Sequence, residues 1–284
     1  MNKKYFTPKK IHAYLRAAIQ LVFFLFLPSA FTTAFSGIKS VLTQIGAGNP
    51  IAWSSFLTVL LALCAYTIVF GRFFCGYACA FGTLGDAVHS LYLFLCKKCK
   101  KKPLLLKKSW KKPLSYVKYA VLLAVVLLCF LGVYGDLTGW SPWDVFSMLR
   151  SGNFKVGAYW LGCILLVLIL VGMVFCERFF CRFLCPMGAV FSLLPILPFF
   201  SVRRKREKCA KGCTACEKVC PSDLSLPEDG SWNVSGDCFQ CQKCLEICPK
   251  KNAKSSIRNF RGNEIWFTVL RAVVLAVVLI LAGI

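Results

Sequence analysis

Acidic residues are scarce in this chain. Twelve Asp and Glu stand against 35 Lys and Arg over 284 residues, a formal net charge of +23. Histidine is scarcer still, with only His12 and His89. Two histidines and no C-x-x-C-H attachment motif leave a histidine-ligated haem poorly supplied. No hydrolytic triad, P-loop or dinucleotide fingerprint is present, and the glycines near Gly71 and Gly82 do not form G-x-G-x-x-G. Polar composition is also low. Hydrophobic residues make up 57% of the chain, which excludes a disordered or fibrous protein.

The apolar residues gather in runs of about 20, the length of a helix that crosses a bilayer. Five spans are predicted, at roughly Ala13–Phe35, Ile51–Phe70, Tyr119–Val133, Ala158–Phe175 and Ile265–Ile284. The first follows a basic N-terminus, as a signal peptide would. It is too long for an h-region and no small-residue cleavage site follows, so it reads as a retained helix. Lys3, Lys4, Lys9 and Lys10 precede it, and Lys39 alone lies in 36–50. Ten lysines from Lys97 to Lys118 crowd 96–118, whereas 136–157 holds only Arg150 and Lys155. Segment 201–264 is again basic. The positive-inside rule therefore sets the N-terminus, the Lys-rich loop and 201–264 on the cytoplasmic face of a multi-pass cell-membrane protein, with the C-terminus outward. A cytoplasmic face also keeps thiols reduced. The Lys-rich loop reads either as a simple positive-inside anchor or as a contact for anionic lipid or an acidic electron carrier. Nucleic-acid binding has no supporting fold signal.

Cysteine is abundant, at 18 residues, and eight of these fall between 209 and 248. They read Cys209-x3-Cys213-x2-Cys216-x3-Cys220-Pro221, then Cys238-x2-Cys241-x2-Cys244-x3-Cys248-Pro249. The bacterial two-cluster pattern is C-x2-C-x2-C-x3-C-P repeated, with the fourth Cys of each run ligating the other cluster. Three thiolates on a tight loop grip three irons of a cube, and the Pro turns the chain away. Soft thiolates suit iron and sulfide. The second run matches fully; the first carries one extra residue between Cys209 and Cys213. Four-thiolate zinc sites also use C-x2-C pairs, but the two C-x3-C-P endings favour two [4Fe–4S] clusters. Cluster one then takes Cys209, Cys213, Cys216 and Cys248, and cluster two takes Cys220, Cys238, Cys241 and Cys244. The linker 221–237 is a turn-rich surface loop. The expected organisation is all-α in the membrane. A four-helix region covers 1–200, a ferredoxin-like two-cluster module 201–264, and a final span 265–284.

The membrane region repeats itself. Residues 72–82 read Arg-Phe-Phe-Cys-Gly-Tyr-Ala-Cys-Ala-Phe-Gly, and 178–188 read Arg-Phe-Phe-Cys-Arg-Phe-Leu-Cys-Pro-Met-Gly, offset by 106. Both follow the second helix of a pair, so the repeat is parallel, with a pseudo-two-fold axis along the membrane normal. On a helix, Cys75 and Cys79 share one face, as do Cys181 and Cys185. The four sulfurs suit a further iron–sulfur cluster, a copper site or a thiol/disulfide relay, with Arg72 and Arg178 stabilising thiolate or metal charge. Packing as small hydrophobes is the alternative, and it suffices for Cys64, Cys129 and Cys163. Cys96 and Cys99 form a C-x2-C among lysines that lower their pKa, a reactive pair or incidental surface thiols. Asp86 and His89 handle quinol protons on one reading and make interfacial hydrogen bonds on the other.

These motifs together resemble a membrane ferredoxin superfamily. The residues that carry the resemblance are Arg72 through Asp86, Cys181-x3-Cys185-Pro186-Met-Gly188-Ala189 and the two-cluster tail. The superfamily includes the NapH component of nitrate reduction, the NosR protein of nitrous oxide reduction and the CcoG copper reductase. Ala80 stands where that family usually has Pro, and Tyr77 where Trp is frequent. The external flavin-binding domain of NosR and the extra C-terminal domain of CcoG are missing, and the fifth span is unlike NapH. The resemblance implies an electron-transfer component of an oxidoreductase system. It would pass single electrons between a cytoplasmic donor or quinol pool and a partner redox protein. Copper reduction or metal handling, as in CcoG, is the competing function, and a structural subunit whose clusters anchor a larger complex is the third.

Overall fold

The computed structural model describes residues 8–135, 140–154, 159–197, 200–257 and 264–284. Lys3, Lys4 and Lys155 lie outside them. In chain order the helices are α1 (Pro8–Phe26), α2 (Ala30–Gly46), α3 (Ser55–Phe70), α4 (Phe73–Tyr77), α5 (Ala80–Lys98), α6 (Lys108–Leu114), α7 (Val117–Phe130), α8 (Pro142–Arg150), α9 (Trp160–Phe175) and α10 (Pro186–Leu193). A π-helical turn, Phe180–Leu184, precedes α10. Strand β1 (Phe200–Lys205), α11 (Ala215–Lys218), β2 (Asp229–Trp232), α12 (Lys243–Ile247) and β3 (Lys254–Ile257) follow, and α13 (Glu264–Leu281) closes the order.

Among the described residues two helical stretches are long and apolar enough to cross a membrane, Ser109–Phe130, which takes in α7 and most of α6, and Glu264–Leu281. A third span results if α1 and α2, bent by 62° at their junction, are taken as one. The apolar helices α3 and α9, at 16 residues each, are shorter. Helix α9 shows why such segments need a non-aqueous surround. It buries Gly162, Leu166, Ile169 and Met173 along one stripe, while Ile164, Leu165, Val167, Leu168 and Val171 are exposed on the rest. A helix apolar all round has no face suited to water. Helix α13 does the same. Phe267, Arg271, Leu275 and Leu279 are buried at helical spacing, and Leu270, Val273, Val277 and Ile280 face out.

The chain divides into two compact units. The first joins residues 1–28, 62–79 and 191–281; the second joins 29–61, 80–190 and 282–284. In the second, α5 packs on α9, α2 on α7, and α8 on α9. Helix α8 starts at a built cap, where Ser141 Oγ accepts the Asp144 N–H at 3.3 Å with Pro142 at the first position. In the first unit, α1 packs on α4, α12 and α13. The three strands form an antiparallel sheet in the order β2-β1-β3, with Phe200 opposite Ile257 and Arg203 opposite Lys254. Beneath it, Val202, Cys216, Leu226, Leu245 and Ala253 form a small core against which Cys244 and Cys248 pack. Two cysteine runs are thus folded around one apolar centre.

Candidate functional site

The second cysteine run is a tight loop. Gln240 and Gln242 adopt left-handed backbone conformations, with φ 54° and 61°. These turns curl Cys238, Cys241 and Cys244 about a cavity that Cys216 and Cys220 also line. Burial pushes the Cys220 thiol up to about 11 and the Cys238 thiol up to about 12, and negative charge on Cys241 adds to both. Cys244 is raised well above its ordinary value by burial, then by Cys241, Cys238, Cys220 and Cys216. Cys216 and Cys220, distant in sequence, thus both face the 238–244 group across this cavity. Such thiols stay protonated at neutral pH unless a cation takes the proton's place. Among the described residues no three His, Cys, Asp or Glu side chains meet at a point fit for one metal ion. The sulfurs line the walls of the cavity instead. An all-sulfur donor set spread around a space fits a cluster, whose irons each take one thiolate at a separate corner, better than a single ion.

The first run is assembled by a residue the sequence reading passed over. Asn252 Nδ2 donates to Cys209 Sγ at 3.3 Å, and Asn252 N donates to Cys248 Sγ at 3.2 Å. One asparagine thus joins the first cysteine of one run to the last cysteine of the other. Its Nδ2 also donates to the Lys205 carbonyl at 2.6 Å. Arg204 Nη1 donates to Cys216 Sγ at 3.1 Å, and Arg206 Nη1 to the Cys213 carbonyl at 2.9 Å. The extra residue between Cys209 and Cys213 is absorbed by Gly212, which turns the chain at φ 66° with open space around it.

The first membrane motif serves as the backing of the second loop. Arg72 is fully buried, donates from Nη1 to the Gly236 carbonyl at 3.2 Å, and lies 3.5 Å from Asp237 Oδ1. At Gly76 a Cβ would collide with the Phe239 carbonyl oxygen, so glycine permits the close approach. Gln20 Nε2 donates to the Gly76 carbonyl at 3.1 Å. On the same loop, Arg16 Nη1 donates to the Cys241 carbonyl at 3.0 Å and pairs with Glu246 at 2.7 Å. Gln242 Nε2 donates to Thr268 Oγ1 of α13 at 2.8 Å. Arg72 thus braces the loop that carries Cys238 and Cys241.

The cysteine pairs do not lie on continuous helices. Cys75 is inside the five-residue α4, and Cys79 is in the break before α5. Cys181 is in the π-helical turn, and Cys185 follows it. The shared helical face implied by four-residue spacing is absent from both. All four are buried. Cys75 and Cys79 belong to the first unit, Cys181 and Cys185 to the second. Cys185 Sγ accepts the Gly188 N–H at 3.2 Å, at the start of α10. Arg178 finds a partner unlike that of Arg72. Its Nε donates to Asp86 Oδ1 at 3.0 Å and its Nη2 to Oδ2 at 2.5 Å, a buried bidentate pair. His89 Nδ1 lies 3.0 Å from the Val174 carbonyl, and His12 Nε2 lies 3.7 Å from Glu264. Cys129 is buried, Cys64, Cys96 and Cys163 are half-buried, and Cys99 is exposed.

A family described as a 4Fe-4S binding domain matches residues 52–113 and 158–206. The two ranges begin 106 residues apart, and each contains one C-x3-C motif; the eight-cysteine run lies beyond them. Two uncharacterized proteins of Methanocaldococcus jannaschii are similar. One is 32% identical over 195 residues, 68% of this chain and 68% of its own. The other is 30% identical over 237 residues, 82% of this chain and 90% of its own. The ferredoxin-type protein NapH of Haemophilus influenzae is 26% identical over 211 residues, 70% of this chain and 67% of its own. No solved structure matches.

Proposed function

The chain belongs to the NapH/NosR-like ferredoxin-type family, and we propose that it carries single electrons through two [4Fe–4S] clusters to a partner redox protein. In this reading Cys209, Cys213, Cys216 and Cys248 hold one cluster, and Cys220, Cys238, Cys241 and Cys244 the other. What supports it is the interleaving of the two runs: Cys216 and Cys220 of the first line one cavity with Cys238, Cys241 and Cys244 of the second, and Asn252 bridges the sulfurs of Cys209 and Cys248. When bound, the clusters supply the one-electron redox change.

The chain's own residues then do three things. On binding the clusters the thiols would release their protons to solvent, and the resulting thiolates would offset the positive charge of the iron. Arg204 and Asn252 donate to sulfur and favour the reduced, more negative state. Arg72, Arg16 and Gln242 fix the second loop on buried polar partners, so that little reorganises as charge changes. The module stands on the cytoplasmic side, and the buried cysteines of each membrane motif, Cys75 and Cys79 in one and Cys181 and Cys185 in the other, serve onward transfer towards a quinol pool or an external partner.

The test is an iron and sulfide count with low-temperature EPR on the anaerobically purified protein, compared with Cys248→Ala. Eight irons are expected in the parent. In the variant the Cys209–Cys216 cluster should be damaged, with the 238–244 cluster more intact. Zinc in place of iron, or loss of only the latter cluster, would sink the assignment.

A further inference from the structure

Charge within the module is divided between its two cysteine runs. Around the first run, Lys205, Lys208, Lys211 and Lys218 are exposed, and Lys250, Lys251 and Lys254, just beyond Cys248, are exposed as well. Only Glu207 and Glu217 oppose them in those two segments. The intervening residues 219–247 are acidic in balance, with Lys243 against Asp223, Glu228, Asp229, Asp237 and Glu246; Asp229 stands opposite Lys205 across the β1–β2 ladder and Glu228 lies 3.9 Å from Arg204 and Arg206, so the basic excess of the face rests on Lys208, Lys211, Lys250 and Lys251. A positive-inside rule acts on whole loops and has no reason to sort charge within one small module. The two lysine segments are distant in sequence. They meet because Arg203 pairs with Lys254 across the β1–β3 ladder and Asn252 binds the Lys205 carbonyl. Lys250, Lys251 and Lys254 also line an open cleft of about 510 Å³ together with Cys248, His12 and a single carboxylate, Glu264. The second run has no such surface to offer, because its loop is occupied by Arg16, Arg72 and Thr268.

We propose that the lysine face around Cys209 and Cys248 is the docking surface for an acidic one-electron carrier protein. This rests on the electron-transfer reading above and names the partner's chemistry and its landing side. Complementary charge raises the encounter rate and orients the partner, and salt screens it. A one-electron carrier must bring its cofactor close to the cluster it exchanges with, and this face surrounds Cys209 and Cys248, both half-buried.

The test uses the full-length protein in neutral detergent, with a flavodoxin of strongly negative net charge as the probe. Binding is measured at low and at physiological salt. A variant with Lys208→Glu, Lys211→Glu, Lys250→Glu and Lys251→Glu is compared with Lys97→Glu, Lys98→Glu, Lys100→Glu and Lys101→Glu, which makes the same change of net charge in the Lys-rich loop. Four reversed surface contacts should weaken binding at least about tenfold, and the control should stay within about twofold. Gln at the same four module positions should give an intermediate loss. The proposal is overturned if the wild type shows no salt-sensitive binding, if the module variant binds as the wild type does, or if the control loses as much. Dithionite reduction followed by EPR separates the two layers. Intact, reducible clusters with unchanged binding refute the docking face alone, whereas absent or irreducible clusters refute the electron-transfer reading beneath it.

Discussion

The guanidinium of Arg72 lies 4.8 Å over the ring of Phe239, within a loop that starts at Cys238. A buried arginine held by a carbonyl, a carboxylate and an aromatic face ties the membrane motif to the cysteine loop. Truncating such a residue typically costs about 3–5 kcal/mol, because its partners stay buried without it. Arg72→Ala should therefore lower the thermal midpoint and release the second cluster before the first, seen as a drop in iron per chain and loss of one EPR signal. Arg72→Lys should recover part of the stability but not the stacking. Unchanged iron content in Arg72→Ala would show that the loop holds without its brace.

Gly76→Ala places a methyl group against the Phe239 carbonyl oxygen. Both atoms belong to backbone-anchored segments, so the contact relaxes only by moving the loop. Overpacking of this kind costs about 1–3 kcal/mol. The expected outcome is a lower unfolding midpoint with faster cluster loss in air. Wild-type rates would mean that the loop shifts freely.

Iron removal exposes the titration of the thiols. Cys220 and Cys238 are raised from an ordinary value of 9.0 to about 11 and about 12. Their protonated forms are thus favoured in the folded state. The stability they contribute is fully present below about pH 9 and is lost as pH rises through 11 to 12. Alkylation of the iron-free, folded protein by iodoacetamide should be slow at pH 8 at these positions and accelerate in that window. Fast labelling of Cys238 at pH 8 would contradict its burial.

Asp86→Asn leaves the Arg178 charge buried without its carboxylate. The loss should be about 3–5 kcal/mol, and Asp86→Leu with Arg178→Met should recover much of it. Thermal unfolding in detergent measures both. If Asp86→Asn is as stable as the parent but slows quinol-linked electron transfer, the carboxylate is a proton carrier and not a structural partner.

Cys79→Ser and Cys185→Ser should leave the eight cysteines of the module and their clusters intact while abolishing electron transfer to the membrane partner. Normal transfer in both variants would make these residues packing groups and the repeat an architectural feature only.

Sequence revealed what is local. The ligand spacing of the cysteine runs, the extra residue before Cys213 and the apolar runs that become α9 and α13 all lie within a few turns of chain. Contacts made across the chain stayed hidden. Arg72 and Arg178 are identical letters at equivalent positions of the repeat, yet one turns to Gly236 and Asp237 and the other to Asp86. Only the fold decides which carboxylate each meets. Helical periodicity also assumed an unbroken helix through each C-x3-C motif, where a chain break and a π-helical turn redirect the second sulfur. Strand β3 reads Lys-Ser-Ser-Ile, which has little intrinsic preference for a sheet. It is a strand because β1 is beside it. Asn252 would have been found by asking which polar side chain lies one turn past the closing Cys-Pro.

The pairing of Phe200 with Ile257 sets the first and last residues of the two-cluster segment side by side, about 5 Å apart for neighbouring strands. A stretch of 58 residues thus leaves the chain and returns to it at one point. At the backbone the segment has one entry and exit, yet its second cysteine loop keeps its partners on Arg16, Arg72 and Thr268. A transplant that closes the backbone at this point must therefore bring those side chains with it, and the wiring of the protein is inherited together with the helices that brace it.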